Sequence, residues 1–240
     1  MAVCFAVLLM SCKNELKKII TKYPNGNTRS VLEYSDSQDT LNFSIKNYYP
    51  DGGIQSEAVV ANGKYVGEKI IYFENGKIYQ IDSLSEPCER PTRVWNGVLI
   101  RFNKNGTLSQ RYTVKNGHFN GLSKHFDANG ILIKEYYLKN DSIKDGEYKE
   151  FWSNGKVSFA TNFKNDTIAD FQCFFNENGD TIKYHRVHNG LISFPYKEWL
   201  PDGRTLIGNH EENPRPIIIW KWFDKNGKEI RSKIVSQTKK

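Results

Sequence analysis

Few side chains in this sequence could do chemistry, and their spacing argues against a catalytic site. His185 and His188 lie three residues apart in a segment expected to be a strand, where alternation places them on opposite faces unless a bulge intervenes. Glu147 and Glu150 have the same spacing and make poor partners for acid–base catalysis. Asn62-Gly63-Lys64 lacks the flanking glycine and hydroxyl residue of a phosphate-binding loop. We therefore expect no catalytic residue, no metal site and no cofactor, and a chain that is not an enzyme.

One cysteine does suggest a covalent modification. Residues 2–10 form an uncharged apolar run, too short to span a bilayer as a helix, and the run leads into Leu8-Leu9-Met10-Ser11-Cys12. This pattern resembles the lipobox of bacterial lipoproteins, in which the cysteine receives a lipid. The resemblance implies a signal peptide at residues 1–11, lipidation of Cys12 and a lipidated tether at residues 12–21. An ordinary buried strand at the amino terminus is the alternative.

The chain outside this segment repeats itself. An aromatic residue followed by a few polar residues and then Asn-Gly or Asp-Gly recurs nine times, with separations of 24 to 30 residues between successive glycines. A constant period of this size indicates a repeat protein, which usually offers an extended binding surface. The turn glycines are Gly26, Gly52, Gly76, Gly106, Gly130, Gly155, Gly179, Gly203 and Gly227.

Each period contains a second turn signal near its middle, such as Asn62-Gly63 or Asn116-Gly117. Asn and Gly tolerate the positive φ angles of tight hairpin turns. Two turns per 24 residues leave two runs of strand length, rich in β-branched and aromatic residues. The sequence therefore predicts an all-β fold, an elongated antiparallel β-meander of about nine hairpin repeats. We place this domain at residues 22–232, with a basic tail at residues 233–240.

Two series of side chains recur in phase with the turns. Two residues after the glycine the residue is mostly aliphatic or β-branched, as in Ile78 and Leu108. Equivalent positions of stacked repeats lie side by side, so we interpret both series as core packing, with the aromatic rings forming a ladder along one face. The aromatic ladder lies four residues before the glycine and consists of Tyr48, Tyr72, Phe102, Phe126, Phe151, Phe175, Trp199 and Phe223.

These repeats resemble a known family. The segments Tyr72-Phe73-Glu74-Asn75-Gly76-Lys77-Ile78 and Lys115-Asn116-Gly117-His118-Phe119-Asn120-Gly121 are similar to the MORN-like repeat, in the variant found in the YwqK-type antitoxin repeat family. The resemblance covers about residues 22–230. It implies a non-catalytic module, and it leaves the function open because proteins with many roles carry such repeats.

The charge is concentrated at the two ends of the chain. Of the net charge of +7, residues 13–22 contribute four lysines against one glutamate, and residues 213–240 contribute eight basic residues against two acidic ones. The body between them therefore has a charge of about −2. A protein that binds nucleic acid needs a basic stripe along its working face, so we expect no nucleic-acid partner.

The segment from Ser83 to Val94 interrupts the repeat with about six extra residues. We expect it to leave the sheet as a loop, and loops on a rigid scaffold are common recognition elements. It is therefore a candidate partner loop, with Ser83, Glu86, Cys88 and Arg90 as the candidate contacts.

The leading functional hypothesis is a monomeric, lipid-anchored protein of the bacterial cell envelope, with the outer membrane favoured over the inner one. Its repeat sheet would act as a scaffold or adaptor for a protein partner that the sequence does not identify. The alternatives are an antitoxin or immunity-type protein that neutralises a toxin, a module that binds membrane lipid directly, and a glycan-binding module.

Overall fold

The computed structural model describes residues 17–236 except 37, 39, 90–95, 142, 189 and 214. The chain forms two compact units, residues 1–93 and residues 94–240. In both units the strands described here pair antiparallel with their neighbours in the chain. The prediction of an all-β antiparallel meander of hairpins is confirmed.

The described residues of the first unit form six strands, and its most buried side chains include Val31, Tyr34, Ala58 and Val60. The first strand begins at Lys18, inside the segment predicted to be a tether. Its β-branched Ile19 and Ile20 pair with β2, and Lys18 Nζ lies 2.6 Å from Glu33 Oε1. The strands are β1 (Lys18–Lys22), β2 (Thr28–Tyr34), β3 (Phe43–Tyr48), β4 (Ile54–Ala61), β5 (Lys64–Tyr72) and β6 (Ile78–Leu84).

The second unit has twelve strands within its described residues and contributes the candidate site. Its last strand reaches Ser236, so the first four residues of the predicted basic tail are part of the sheet. The strands are β7 (Gly97–Phe102), β8 (Leu108–Lys115), β9 (His118–Phe126), β10 (Leu132–Lys139), β11 (Ile143–Phe151), β12 (Val157–Lys164), β13 (Thr167–Phe175), β14 (Thr181–His188), β15 (Leu191–Trp199), β16 (Thr205–Asn213), β17 (Arg215–Phe223) and β18 (Glu229–Ser236).

The nine turn glycines occupy loops of one kind, which we call the long turns. In the turn at Gly76, the Gly76 N–H donates to Phe73 O at 2.9 Å and the Phe73 N–H donates to Lys77 O at 2.8 Å, which closes a three-residue loop. All nine glycines have φ between 77° and 98°, a region in which a Cβ atom is strained.

The turns near the middle of each period are of a different kind. Asn62 and Gly63 have φ of 52° and 72°, and Asn116 and Gly117 have nearly the same values. Two successive positive φ angles define a two-residue hairpin loop whose twist matches that of the strands. In the hairpins β4–β5, β8–β9 and β12–β13, a two-residue turn therefore lies at the strand end opposite the long turns.

The asparagines of the long turns also link one repeat to the next. The side-chain amide of Asn105 donates to Ala128 O at 2.8 Å, and that of Asn154 donates to Glu177 O at 2.8 Å. Asn25 donates in the same way to Pro50 O at 3.0 Å. Each of these residues also accepts a hydrogen bond within its own turn, so the Asn-Gly signal serves both the turn and the stacking of repeats.

A second set of small residues lies inside strands. Gly67, Gly121 and Gly146 have positive φ within β5, β9 and β11, next to shifts of the strand register. These residues are β-bulges, in which extra residues of one strand face its neighbour. Asp170 occupies the corresponding place in β13 with φ of 65°, a conformation that costs energy for a residue with a side chain.

Candidate binding face of the second unit

One row of side chains crosses all twelve strands of the second unit, and we call it the central row. Cross-strand pairing places its members directly opposite one another from β7 to β18. Its middle part contains Ser123, Thr161 and His185. These side chains are 1%, 1% and 2% exposed, the lowest values among the buried polar residues of the described chain. The row is Leu99, Tyr112, Ser123, Tyr136, Tyr148, Thr161, Gln172, His185, Tyr196, Gly208, Trp220 and Lys233.

Rings pack along the central row from strand to strand. The rings of Tyr136 and Tyr148 are stacked with centroids 5.7 Å apart, and those of His185 and Tyr196 are stacked at 5.8 Å. Trp220 contacts Tyr196 edge-on at 5.2 Å, across Gly208. Because aromatic contacts bury large areas, this row is the main packed layer of the unit.

A neighbouring row on the same face carries charges of both signs, and we call it the charged row. It lies two residues along each strand from the central row, toward the long turns, and pairing again places its members opposite one another. Its members are Arg101, Gln110, His125, Lys134, Glu150, Phe159, Phe174, Lys183, Glu198, Leu206, Trp222 and Arg231.

The tripeptide Tyr-Lys-Glu connects the two rows at two places. The Tyr148 hydroxyl donates to Glu150 Oε1 at 2.6 Å, and the Tyr196 hydroxyl donates to Glu198 Oε2 at 2.5 Å. Burial and then the hydrogen bond to the carboxylate raise the pKa of both tyrosines, so the phenols stay protonated donors. Each hydrogen bond orients a glutamate at the surface, beside Lys134 and Lys183 of the neighbouring strands.

Open depressions accompany these two places. One, of about 800 Å³, is lined by residues that include Lys134, Glu150, Phe159, Gln172 and Phe174. The other, of about 980 Å³, is lined by residues that include Phe174, Lys183, Glu198 and Trp199. Phe174 lines both depressions, and its ring centroid lies 4.9 Å from that of Phe159. The face thus presents two lysine–glutamate pairs on either side of an aromatic centre, about four strands or ~19 Å apart.

His185 is the most buried titratable side chain of this face. Its Nε2 lies 2.8 Å from Gln172 Oε1, and its Nδ1 has no hydrogen-bond partner among the described residues. Burial, and to a smaller extent the ammonium of Lys183, lowers the pKa of His185. The same two causes, burial and then Lys134, lower the pKa of His125, which contacts the Tyr136 hydroxyl at 2.8 Å. Both imidazoles are therefore packed as neutral rings.

The predicted aromatic ladder alternates with the charged row along the strands, and its members Phe151, Phe175 and Trp199 also line the two depressions near the long turns. Phe126 alternates with His125 along β9, so its ring points away from the central and charged rows, to the same side as Lys124. Each ladder residue pairs across the long turn with the residue two places after the glycine, as in Phe126 with Leu132 and Phe175 with Thr181. Since two strands separate equivalent residues, the rings stand ~10 Å apart.

The expectation that the ladder rings pack on one another is therefore wrong. Among the described residues, the aromatic pairs are formed by other rings, and the ladder rings are half-buried or, for Trp199, 36% exposed. The sequence contained a signal for the central row, because six of its twelve residues lie three places before the ladder positions of the second unit. The Tyr-Lys-Glu repeat at residues 148–150 and 196–198 was the clearest sign of it.

The insertion in the first unit is partly folded onto the sheet. Ser83 belongs to β6, and Cys88 forms a β-bridge with Tyr65, with N–H to O distances of 2.8 and 2.9 Å in the two directions. Cys88 is 8% exposed, so it packs inside and is not a surface contact. Glu86 is exposed, and Arg90 lies outside the described residues. The segment from Ser85 to Glu89 thus pairs, through Cys88, with the part of β5 around Tyr65 that β6 does not reach.

The other predictions concern Cys12, the histidine pair, metal binding and membrane spans. Cys12 and the proposed signal peptide lie outside the described residues. His185 is buried and His188 is exposed, as alternation required. Across the part of the chain that the structure describes, no group of three metal-binding side chains comes together. In that same part, no helix of a length and hydropathy suited to crossing a membrane is present.

Comparison with known proteins finds a repeat family that matches three parts of the chain. The family described as MORN repeat variant matches residues 65–84, 119–140 and 144–165, and each match covers most of one hairpin that is closed by a long turn. No curated protein matches the chain. Among solved structures, "Crystal Structure of TcdB2-TccC3" is similar at 11% identity, with a TM-score of 0.23, over 86% of this chain. The match spans 14% of the length of that chain.

Proposed function

Because this chain is built from MORN-like repeats, we propose that it is a non-catalytic scaffold or adaptor that binds another protein through the charged row of its second unit. The observation that carries the proposal is the pattern of that row, in which Lys134 and Glu150, then Lys183 and Glu198, flank the rings of Phe159 and Phe174. Aromatic side chains surrounded by polar and charged ones are typical of protein interfaces.

The charges favour a protein over a lipid surface. Anionic headgroups attract lysine and arginine but repel Glu150 and Glu198, which point to the same face as the lysines. A protein surface can present charges of both signs in a matching order, which gives specificity and orientation. Direct binding of membrane lipid by this row is therefore the weaker alternative.

The aromatic residues give less support to a glycan site. Stacking on a sugar needs an open ring face, and the most exposed ladder ring is that of Trp199. The Lys197 ammonium lies over this ring, 4.4 Å from its centroid. Phe159 and Phe174 contact each other instead of presenting parallel open faces. We therefore retain glycan binding as an alternative without a preferred residue.

We further propose that a lipid on Cys12 anchors the protein in the bacterial cell envelope, with the outer membrane favoured. The sequence pattern Leu8-Leu9-Met10-Ser11-Cys12 supports this placement. An antitoxin or immunity role is the second version of the same binding function, supported by the resemblance to the YwqK-type repeats. Export to the envelope would separate the protein from a cytosolic toxin, which makes the scaffold role the better fit.

Site-specific photocrosslinking in the native cells tests the binding face. Benzoylphenylalanine at Lys183 should give a discrete protein adduct, whereas the same probe at Tyr184, the next residue on the opposite face, should not. The pair Lys134 and Glu135 provides a second matched comparison. Adducts of equal yield at both faces, or none at Lys134 and Lys183, would contradict the proposal. A lipid or glycan adduct at Lys183 would select the corresponding alternative, and a toxin adduct would select the antitoxin role.

A further inference from the structure

The last strand of the second unit, β18, has an exposed edge. In this unit β18 pairs with β17, from Ile217 opposite Ser236 to Phe223 opposite Glu229, and its outer side faces no other strand of the unit among the described residues. Ile230 is 51% exposed, Ile234 is 64% exposed and Val235 is 38% exposed. A strand edge with backbone donors and acceptors and exposed branched side chains is a template for pairing with another chain.

Because side chains alternate along β18, the two faces of this strand carry different side chains. Arg231 and Lys233 lie on the face of the central and charged rows, opposite Trp222 and Trp220. Ile234 lies on the other face, opposite Ile219, whereas Ile230 is the extra residue of the bulge between Glu229 and Arg231. Val235 lies on the same face as the two cations. Within the described part of the chain, neither cation has a carboxylate within 4.0 Å, and the Arg231 guanidinium instead lies 5.0 Å from the Trp222 ring centroid. The acid of this strand, Glu229, pairs with Lys221 at 3.1 Å.

We propose that β18 binds an extended segment of a partner protein by strand addition, and that this segment alternates acidic and apolar residues. Acidic side chains opposite Arg231 and Lys233 and an apolar one opposite Ile234 form the favourable cross-strand pairs of an antiparallel or parallel sheet. The backbone hydrogen bonds supply affinity and the alternating side chains supply specificity. The inference goes beyond the proposed function, since it requires neither the charged row nor the lipid anchor.

A second copy of this chain is a poorer occupant of the edge. Antiparallel pairing of two β18 strands brings Arg231 and Lys233 of one copy onto the same face as the same two cations of the other. Like charges in such close register destabilise a strand pair. The positive charge therefore protects the edge against self-association while it selects an acidic strand.

Fluorescence anisotropy with the full-length chain provides the test. The probe is a labelled nine-residue peptide of alternating glutamate and valine, compared with a peptide of the same composition in which the glutamates are grouped, and with an alternating lysine–valine peptide. We expect the alternating acidic peptide to bind at least tenfold more tightly than either control. Equal binding of the grouped and alternating acidic peptides would overturn the proposal, because it would show attraction by charge alone.

Two further measurements separate strand addition from general electrostatics. The double variant Arg231→Glu/Lys233→Glu should no longer bind the acidic peptide and should bind the lysine–valine peptide instead. The control variant Lys225→Glu/Lys228→Glu has the same change of charge in the adjacent turn and should still prefer the acidic peptide. N-methylation of one alternate set of peptide nitrogens should abolish binding, and methylation of the other set should not. Equal losses in both protein variants, equal effects of both methylated sets, or dimerisation through β18 would each refute the proposal.

Discussion

His185 Nε2 lies 2.8 Å from Gln172 Oε1, on two directly paired residues of β13 and β14. The imidazole is 2% exposed and is held between the Gln172 amide and the stacked ring of Tyr196. A charged imidazolium would have to form there without water, and the nearby Lys183 would repel it. The contact therefore makes the stability of the second unit sensitive to pH.

We predict that the free energy of unfolding falls as the pH drops below about 6.5. The pKa of His185 is lowered in the folded state, so the unfolded chain binds the proton first and the folded state loses stability, by up to ~1.4 kcal/mol per pH unit for one histidine. Urea unfolding at pH 7.5, 6.0 and 5.0 measures this slope. His185→Phe should reduce it, whereas His188→Phe, at an exposed position, should not.

Asp170 provides a test of backbone strain. Its φ of 65° at the β13 bulge is a position that glycine fills in β5, β9 and β11. Asp170→Gly should stabilise the protein by about 0.5–1 kcal/mol, because relief of the left-handed strain exceeds the entropy cost of glycine. The reverse change at the equivalent place, Gly146→Asp, should destabilise it. Thermal unfolding of both variants decides the matter, and a loss of stability in Asp170→Gly would show that the side chain is needed.

Gly208 provides a test of packing in the central row. A Cβ atom at this residue would lie 2.8 Å from the Trp220 ring and 2.9 Å from the Phe194 ring. Gly208→Ala should therefore cost about 1–3 kcal/mol, since two rings must shift. Gly53→Ala, whose nearest neighbour would be Asp51 Oδ1 at 3.4 Å, should change stability by less than about 0.5 kcal/mol. Similar losses of stability in the two variants would mean that the Trp220 and Phe194 rings can move aside at little energetic cost.

The two faces of the second unit should differ in their response to truncation. Tyr148 contacts the rings of Tyr136 and Phe159 and donates to Glu150, so Tyr148→Ala should cost about 3–5 kcal/mol. Phe126, in the ladder on the opposite face, is only half-buried, so Phe126→Ala should cost clearly less. Chemical denaturation of the two variants compares them. The opposite order would assign the main packing to the ladder.

The lipid anchor is tested independently of the fold. Cys12→Ser should abolish incorporation of labelled fatty acid and release the protein from the membrane fraction, because the lipid thioether requires the thiol. Cys173→Ser should leave both unchanged and serves as the control, since this cysteine lies in β13. A Cys12→Ser protein that still carries lipid and sediments with membranes would remove the anchor from the proposed function.

The parts of the fold that depend on local conformation were predictable from the sequence. Gly76 and its eight equivalents mark turns because positive φ excludes most side chains, and their regular spacing set the repeat and its hairpins. The pairing of Phe126 with Leu132 across a turn also follows from loop length. These features need no knowledge of distant contacts.

The packed face was decided by the tertiary structure. A shift of one residue moves a strand's side chains to the other face, and the bulges next to Gly121, Gly146 and Asp170 set that register locally in each hairpin. Aromatic residues occur on both faces, so composition did not reveal whether Phe126 or His125 packs inside. The cross-strand register stacked His125 on Tyr136 and His185 on Tyr196, and it placed Arg231 and Lys233 together at an edge. The sequence thus determined the repeat and its turns through local backbone sterics, whereas register, a property of paired strands, determined which residues form the core and which remain available to a partner.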